Sequence, residues 1–292
     1  MSSLNDGLQD PTQLLLAKLV TNPRYVREVI SNADEFLNIL GIEKNQKIEL
    51  VDFFKNHGEK FLASSQLLAK KRLDNIVEAM QVGRKIFSYE LLKRYFENYL
   101  EKTGLDEYVD KNPISESILF CKYIIANENT DEREKVILDY DLTRNIVLQQ
   151  LMNDHKSYES LVYDLETVIN TKDCQLSALI HPSIQIKKFP AGTSLMVKAI
   201  INNVPNVGIS ASTDEEILIF HKNWRKGGVV TLKVSPPTVE FIKILMRCDT
   251  LEHSYQMLNK ELGADIEISK SMVKQFIECG LCTIRFVGRK YV

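Results

Sequence analysis

Short apolar runs separated by turn residues dominate the chain from Glu215 to Phe286. Two β-type runs, Ile217–Phe220 and Val229–Val234, flank a polar connection that ends in Gly227-Gly228. This arrangement predicts a β-hairpin, because glycine tolerates the turn conformations that join antiparallel strands. Proline suits the first helical turn and cannot donate to a strand ladder, so Ser235-Pro236-Pro237 predicts the end of a strand and the start of a helix.

Three helical patterns follow the hairpin, each with apolar residues recurring at spacings of three and four. They cover Thr238–Arg247, Leu251–Leu262 and Lys270–Cys279. Gly263 and Gly280 are placed where helices end. A last apolar run, Leu281–Val287, predicts a closing strand.

Helical periodicity also extends over most of the N-terminal half and predicts a bundle of seven or eight helices. Gly58 is expected to end one helix, Ile48–His57, and a second helix is expected over Lys60–Met80. The aromatic-rich stretch Tyr89–Leu100 predicts another helix. From Tyr158 onward the helical pattern weakens.

The segment His181–Pro190 alternates apolar and polar residues, which predicts a half-buried strand bounded by prolines. We therefore expect two domains: a helical bundle over residues 1–155 and a second domain over residues 156–292. The predicted fold class is α+β, with the bundle followed by a winged-helix-like domain that contains a small antiparallel sheet and three helices.

Composition and charge narrow the class of protein. The chain carries 44% apolar and 26% charged residues and a net charge of −2, as ordinary globular proteins do. From His181 onward there are 15 Lys and Arg against 10 Asp and Glu, which favours an acidic partner. No apolar run approaches the roughly 18 residues of a membrane span, and the N-terminus is polar, so we expect a cytoplasmic protein without a membrane partner.

The side chains that could take part in catalysis or bind a metal do not form a known catalytic or metal-binding motif. Cys279 and Cys282 have the spacing of half a zinc site, but a second pair at ligand spacing is missing. We expect these cysteines to be small apolar core residues. The histidines fall in no nucleophile motif, and nucleotide-binding glycine patterns are absent. Glu215-Glu216 is expected in a solvated turn. The sequence thus predicts no catalytic residue, no metal site and no enzyme activity of this chain.

The order of elements at the C-terminal end resembles a known family of domains. A hairpin, a Ser-Pro-Pro helix start and a third helix that ends in Phe276–Leu281 are similar to the winged-helix elements that recognise ribosomally made precursor peptides. The resemblance implies that an extended leader peptide adds to the edge of the hairpin strand Val229–Val234.

The resemblance also implies which side chains would contact that peptide. The edge strand would contribute Val229, Thr231 and Lys233, and the third helix would form the wall. The wall would consist of Lys270, Met272, Val273, Lys274 and Phe276. Lysines in both sets would meet acidic leader residues, although Val273 and Phe276 could equally be core residues.

A second resemblance covers most of the chain, from about Phe61 to Phe286. The stretches Leu68–Ile76, Tyr89–Phe96 and His181–Ile184 resemble the accessory partners of multinuclear non-haem iron oxidases, as found in methanobactin-type peptide maturation. Such a partner is non-catalytic, forms a heterodimer with the oxidase and presents the precursor peptide to it.

This second resemblance implies that iron is bound by the partner enzyme and that this chain carries no cofactor. We expect Tyr95, Phe96, Tyr99 and His181 to contribute to the interface with the oxidase.

The alternative function is a winged-helix DNA-binding transcription regulator. The third helix offers Lys270, Lys274 and Gln275 but also Glu278, and it has no arginine. Recognition helices normally need several groups that reach bases or phosphates. The hairpin also precedes the helices here, whereas a DNA-binding wing usually follows them. Both features disfavour nucleic acid as the partner.

Overall fold

A computed structural model describes residues 15–16, 19–39, 44–103, 112–154, 161–162, 172–204 and 214–287. The contacts divide the chain into two compact units, Met1–Asn129 and Thr130–Val292. The described part of the first unit is helical, and the second unit mixes helices with small antiparallel sheets. The fold is therefore mixed α+β with an N-terminal helical region, as predicted at that level.

Residues 15–16 and 19–21 of the first unit are helical, and we number the five described α-helices that follow them in chain order. They are α1 (Pro23–Ser31), α2 (Ala33–Ile39), α3 (Lys44–Ala79), α4 (Tyr89–Lys102) and α5 (Pro113–Asn127). Polar side chains cap three of them: Asn22 accepts from the Arg24 N–H, Ser88 from the Leu91 N–H and Asn112 from the Ile114 N–H. Such caps satisfy backbone donors that the first helical turn leaves without partners.

Helix α3 runs without interruption through Gly58 and is 36 residues long. The prediction of two helices separated at Gly58 was therefore wrong. A Cβ atom at this position would lie 2.8 Å from Cγ1 of Ile30 on α1. The glycine thus allows two helices to approach closely, and it does not end one.

The second unit contains the remaining described α-helices and strands. They are α6 (Glu132–Met152), β1 (Leu161–Val162), β2 (Leu176–Ile180), β3 (Gln185–Pro190), α7 (Thr193–Ile201), β4 (Glu215–Lys222), β5 (Val229–Val234), α8 (Pro236–Arg247), α9 (Leu251–Leu262), α10 (Ile266–Glu278) and β6 (Cys282–Phe286). The strands form two antiparallel sheets, with the orders β1-β6-β2 and β3-β4-β5.

The sheet β3-β4-β5 has elements packed on both of its faces. On one face Ile219, Leu232 and Val234 pack into the apolar core formed with α8, α9 and α10. On the other face the ring of Tyr140 on α6 lies 4.9 Å from Phe220 and 6.3 Å from Phe189. Alternation of side chains along each strand makes this two-sided burial possible.

Several local predictions are confirmed. The hairpin β4-β5 turns at Gly227 and Gly228, both with φ of 72°, and α8 begins at Pro236. Gly263 follows α9 with φ of 64°, as a left-handed residue after a helix should. The closing strand is observed as β6. The strand expected from His181 begins later, at Gln185.

Helix α6 belongs to the second unit by its packing, whereas the sequence placed residues up to 155 with the helical bundle. It packs against β3, β4 and β5. Across the described residues, no helix is long and apolar enough to cross a membrane.

Candidate functional site

Strand β5 is an edge strand, because it pairs only with β4 within the described sheet. The Asn223 N–H donates to the Gly228 carbonyl at 3.0 Å, which fixes the alternation of the antiparallel ladder. By that alternation the backbone N–H and C=O groups of Val230, Leu232 and Val234 point toward β4, whereas those of Val229, Thr231 and Lys233 point away from it. We refer to these outward groups as the open edge.

The opposite edge of the same sheet, formed by β3, is less suited to pair with another strand. The same alternation turns the backbone of Ile186, Lys188 and Pro190 outward. Proline offers no N–H, so this edge lacks a donor at Pro190. The open edge of β5 carries no proline and is the better acceptor for an added strand.

A groove with a volume of about 370 Å³ adjoins the open edge, and we call it the α7 groove. Its lining residues come from α6, α7 and β5: Tyr140, Ser194, Leu195, Val197, Lys198, Ile201, Thr231 and Lys233. Leu195 is 65% exposed, which leaves an apolar side chain at the groove. Ligand sites in proteins combine such apolar surface with a few polar groups.

Lys233 is held at the groove by a buried carboxylate. Its Nζ lies 2.9 Å from Oε2 of Glu216. The other carboxylate oxygen of Glu216, Oε1, accepts from the Ser194 N–H at 2.5 Å. Burial alone would raise the pKa of Glu216, but hydrogen bonds from Lys233 and Ser194 outweigh it and lower the pKa below its ordinary value. The expectation that Glu216 lies in a solvated turn was wrong, because this residue is in β4 and only 4% exposed.

Thr231 is positioned from the α6 side. The Tyr140 hydroxyl donates to Thr231 Oγ1 at 2.8 Å, and burial raises the pKa of the Tyr140 phenol. The phenol therefore stays protonated and keeps its donor role near neutral pH. Side chains on both α6 and β4 thus fix residues of the open edge.

The structure places the predicted wall residues of the third helix away from the α7 groove. Val273 and Phe276 are 2% and 9% exposed and belong to the core around α8 and α9. Met272 is partly buried against the same core. Helix α10 packs mainly on α9 and β6, so among the described elements α7 forms the wall beside β5.

The two lysines predicted on that helix are exposed. Lys270 lies 3.7 Å from carboxylate oxygens of both Asp173 and Glu267. Lys274 is close to Glu278 in sequence, and both side chains are exposed. The outer face of α10 therefore mixes charges of both signs.

The aromatic residues predicted for a partner interface lie inside the first unit. Tyr95, Phe96 and Tyr99 are 3%, 3% and 7% exposed, and the Phe96 and Tyr99 rings pack against Phe120 at 5.8 and 5.7 Å. Other side chains of the same unit cover these rings, so little of their surface is left for a partner. Phe96 also lines a cleft that is described below.

His181 is buried in the second unit, at 2% exposure. Its Nδ1 accepts from the Ser183 N–H at 3.1 Å and lies 2.7 Å from Ser183 Oγ, and its Nε2 lies 2.7 Å from Oδ2 of Asp154. An accepting Nδ1 places the ring proton on Nε2, which donates to Asp154. Because Ser183 is only 3% exposed, this arrangement joins the end of α6 to the turn before β3 and offers no accessible nucleophile.

The two cysteines at zinc-like spacing have different surroundings. Cys279 is exposed at the end of α10, whereas Cys282 is buried in β6, where burial raises the pKa of its thiol. Within the described part of the chain, no three His, Cys, Asp or Glu side chains lie together as a metal-binding group.

Comparison with known proteins gives no family for this chain. No protein-family model matches it, and a search of curated proteins finds no match.

The sequence missed the α7 wall of the groove. Residues 193–201 are mostly apolar and are bounded by Gly192 and Asn202, and a short apolar run of this length does not distinguish a helix from a strand. Gly192, with φ of 90°, was the available signal for a chain reversal before a helix.

Proposed function

We propose that this chain is a non-catalytic peptide-binding subunit that accepts an extended peptide as an added strand on β5. The observation that carries the proposal is the open edge beside the α7 groove. The backbone of Val229, Thr231 and Lys233 supplies donors and acceptors for a new strand, and alternate side chains of the ligand enter the groove.

The charges at the groove support an acidic or mixed peptide as the ligand. Lys198 and Lys233 both line it. Lys233 pairs with Glu216, but its side chain is 58% exposed whereas that of Glu216 is 2% exposed, so the lysine is the member of the pair that a ligand can reach. The resemblance to precursor-peptide recognition elements of the winged-helix type makes the leader of a ribosomally made precursor peptide the proposed ligand.

By the second resemblance, we further propose a cytoplasmic heterodimer with a multinuclear iron oxidase that modifies the peptide. In this proposal the iron is bound by the oxidase, and the present chain contributes recognition only. The mixed charges on the outer face of α10 give no support to a DNA-reading helix, which needs several groups directed at bases or phosphates.

The test removes one outward donor from the open edge. Thr231→Pro deletes the outward N–H without removing a hydrogen bond of the β4-β5 ladder, whereas Thr231→Val loses the same hydroxyl but keeps that N–H. We expect Thr231→Pro to weaken binding of a fluorescein-labelled precursor leader by roughly three- to tenfold, as loss of one hydrogen bond should. Thr231→Val should bind about as well as the unmodified chain, as measured by fluorescence anisotropy.

Circular dichroism and thermal melting of both variants control for folding. Equal leader affinity of folded Thr231→Pro and Thr231→Val would contradict strand addition at β5. Absence of leader binding by the unmodified chain would contradict the proposed function as a whole.

A further inference from the structure

The first unit contains a cleft of about 600 Å³ between α1, α3 and α4, which we call the α4 cleft. Its floor is apolar, with Leu73, Phe96 and Leu100 only 2%, 3% and 6% exposed. One end is fixed by Asn22, whose Nδ2 donates to the Leu100 carbonyl at 2.9 Å. The α4 cleft belongs entirely to this unit and is independent of the open edge of β5.

The lining positions follow helical spacing along two helices. Helix α4 contributes Tyr89, Glu90, Lys93, Phe96, Glu97, Leu100 and Glu101. These positions extend over three turns, or about 18 Å at a rise of about 1.5 Å per residue. Helix α3 contributes Gln66, Ala69, Lys70 and Leu73 at the same kind of spacing.

Two such stripes side by side form the surface on which a third helix packs, because side chains of the third helix fit between rows spaced by three and four residues. An elongated cleft of this length suits a helix of about three turns better than a compact metabolite. The floor alanine, Ala69, allows close approach of a backbone at the centre of the α3 stripe.

The charges along the cleft are sorted by helix. The acidic lining residues, Glu90, Glu97 and Glu101, all come from α4. The basic lining residues outside α4 come from α1 and α3: they are Arg24, which pairs with Glu28 on its own helix, and Arg27 and Lys70. Among the described residues, Lys93 is the one basic lining residue on α4. Within the described chain, Lys70 and Glu97 are exposed and take part in no ion pair. Charges that internal pairs do not neutralise are available to a ligand.

We propose that the α4 cleft receives one amphipathic helix of a partner protein. The apolar stripe of that helix lies on the floor, a basic edge faces the acids of α4, and an acidic edge faces Arg27 and Lys70. Exposed charge pairs add little affinity each, but they select the orientation and exclude wrong partners. The three acids disfavour nucleic acid in the same cleft.

The first experiment uses three synthetic 15-residue helices with one shared leucine stripe. The mixed probe has one lysine edge and one glutamate edge, and the two uniform probes have glutamate or lysine on both edges. We expect the mixed probe to bind the full chain about fivefold more tightly than either uniform probe, as measured by fluorescence anisotropy at low salt. Equal affinities, or no binding of any probe, would overturn the proposal.

A matched pair of variants then locates the binding. Lys70→Glu reverses a charge in the cleft, and Lys71→Glu reverses the exposed neighbour that does not line it. Lys70→Glu combined with Arg27→Glu should turn the preference to the uniform lysine probe, while Lys71→Glu leaves the preference unchanged. The same response from Lys71→Glu would overturn the assignment to this cleft. A dimer of the chain in sedimentation that Lys70→Glu dissociates would overturn the partner helix in favour of a second copy.

Discussion

The carboxylate of Glu216 joins two parts of the second unit, since it accepts from the N–H and hydroxyl of Ser194 on α7 and pairs with Lys233 on β5. Its pKa is lowered in the folded chain by these contacts, despite burial. A lowered folded pKa stabilises the fold above the pKa of the unfolded chain, and that stabilisation is lost as the pH falls through the folded value.

We therefore expect Glu216→Gln to lower the free energy of unfolding by about 1–3 kcal/mol at pH 7, as loss of a charged hydrogen-bond acceptor does. The difference in unfolding free energy between the variant and the unmodified chain should shrink as the pH falls below about 4.5, because protonation of Glu216 removes the same charge from the unmodified chain. Urea unfolding at pH 7, 5 and 3 measures the difference.

The adjacent residue provides the control for that experiment. Glu215 pairs with Lys188 at 2.7 Å, but both side chains are more than half exposed. Glu215→Gln should change the unfolding free energy by less than about 1 kcal/mol. Equal losses of unfolding free energy for the two substitutions would contradict the prediction that the buried carboxylate of Glu216 stabilises the fold more than the exposed one of Glu215.

Periodicity identified the strand near Glu216, but it assigned the residue to a turn. Two adjacent glutamates favour solvent on composition alone. The groups that stabilise the buried charge are Lys233, 17 positions later in the chain, and the Ser194 N–H, 22 positions earlier. A partner so distant in sequence gives no local signal.

At the scale of elements, the turn from α10 into β6 is fixed by the hairpin connection. The Trp224 N–H donates to the Gly280 carbonyl at 2.9 Å, and Asn223 Nδ2 donates to the Cys279 carbonyl at 3.1 Å. Gly280 has φ of 78°, and a Cβ there would lie 2.7 Å from Cγ of Asn223. The backbone conformation and the close contact both require glycine at this position.

Gly280→Ala should therefore destabilise the chain by more than about 2 kcal/mol, combining left-handed backbone strain of about 1–2 kcal/mol with the steric contact. Gly263→Ala is the matched control, because Gly263 has φ of 64° but a Cβ added there would meet no described atom within 4 Å. We expect a loss of only about 1 kcal/mol there. Guanidinium unfolding of the two variants compares them, and similar losses would contradict the role of the Asn223 contact.

Glycines also show what the sequence could and could not predict about elements. Gly263 and Gly280 follow helices, as the pattern indicated, whereas Gly58 lies inside α3. A glycine that ends a helix and a glycine that admits a neighbouring helix are identical in sequence. Only the position of Ile30 on α1 distinguishes the two roles.

At the scale of the whole molecule, the sequence indicated a helical N-terminal region and a mixed α+β fold, but it did not indicate which part of the chain helix α6 packs against. Helix α6 is buried on several sides, with Ile137, Leu138, Tyr140 and Asp141 all below 7% exposure. A helix without one clear apolar stripe does not indicate which core it joins. Packing on β3, β4 and β5 places it in the second unit.

Assembly with the proposed oxidase is tested on the intact chain. We expect the chain to co-elute in size-exclusion chromatography with a multinuclear iron oxidase encoded beside the precursor peptide. Iron measured by mass spectrometry should follow the oxidase and be substoichiometric in this chain alone, because in this proposal the oxidase binds the iron.

Separate elution of the two proteins would contradict the heterodimer. Salt-dependent binding of the chain to duplex DNA would then support the regulator, since counterion release makes such binding weaken steeply with salt. Leader binding without co-elution would retain the peptide-binding role and remove the oxidase.

The open edge of β5 has a further consequence for the chain in solution when no ligand is present. Exposed edge strands promote edge-to-edge pairing and aggregation. Two copies can align β5 against β5 in antiparallel register, each occupying the donors and acceptors of the other. Self-pairing then competes with the peptide for the same edge, so a bound peptide increases the solubility of the chain. For the same reason, the apparent affinity of the chain for the peptide decreases as the protein concentration rises.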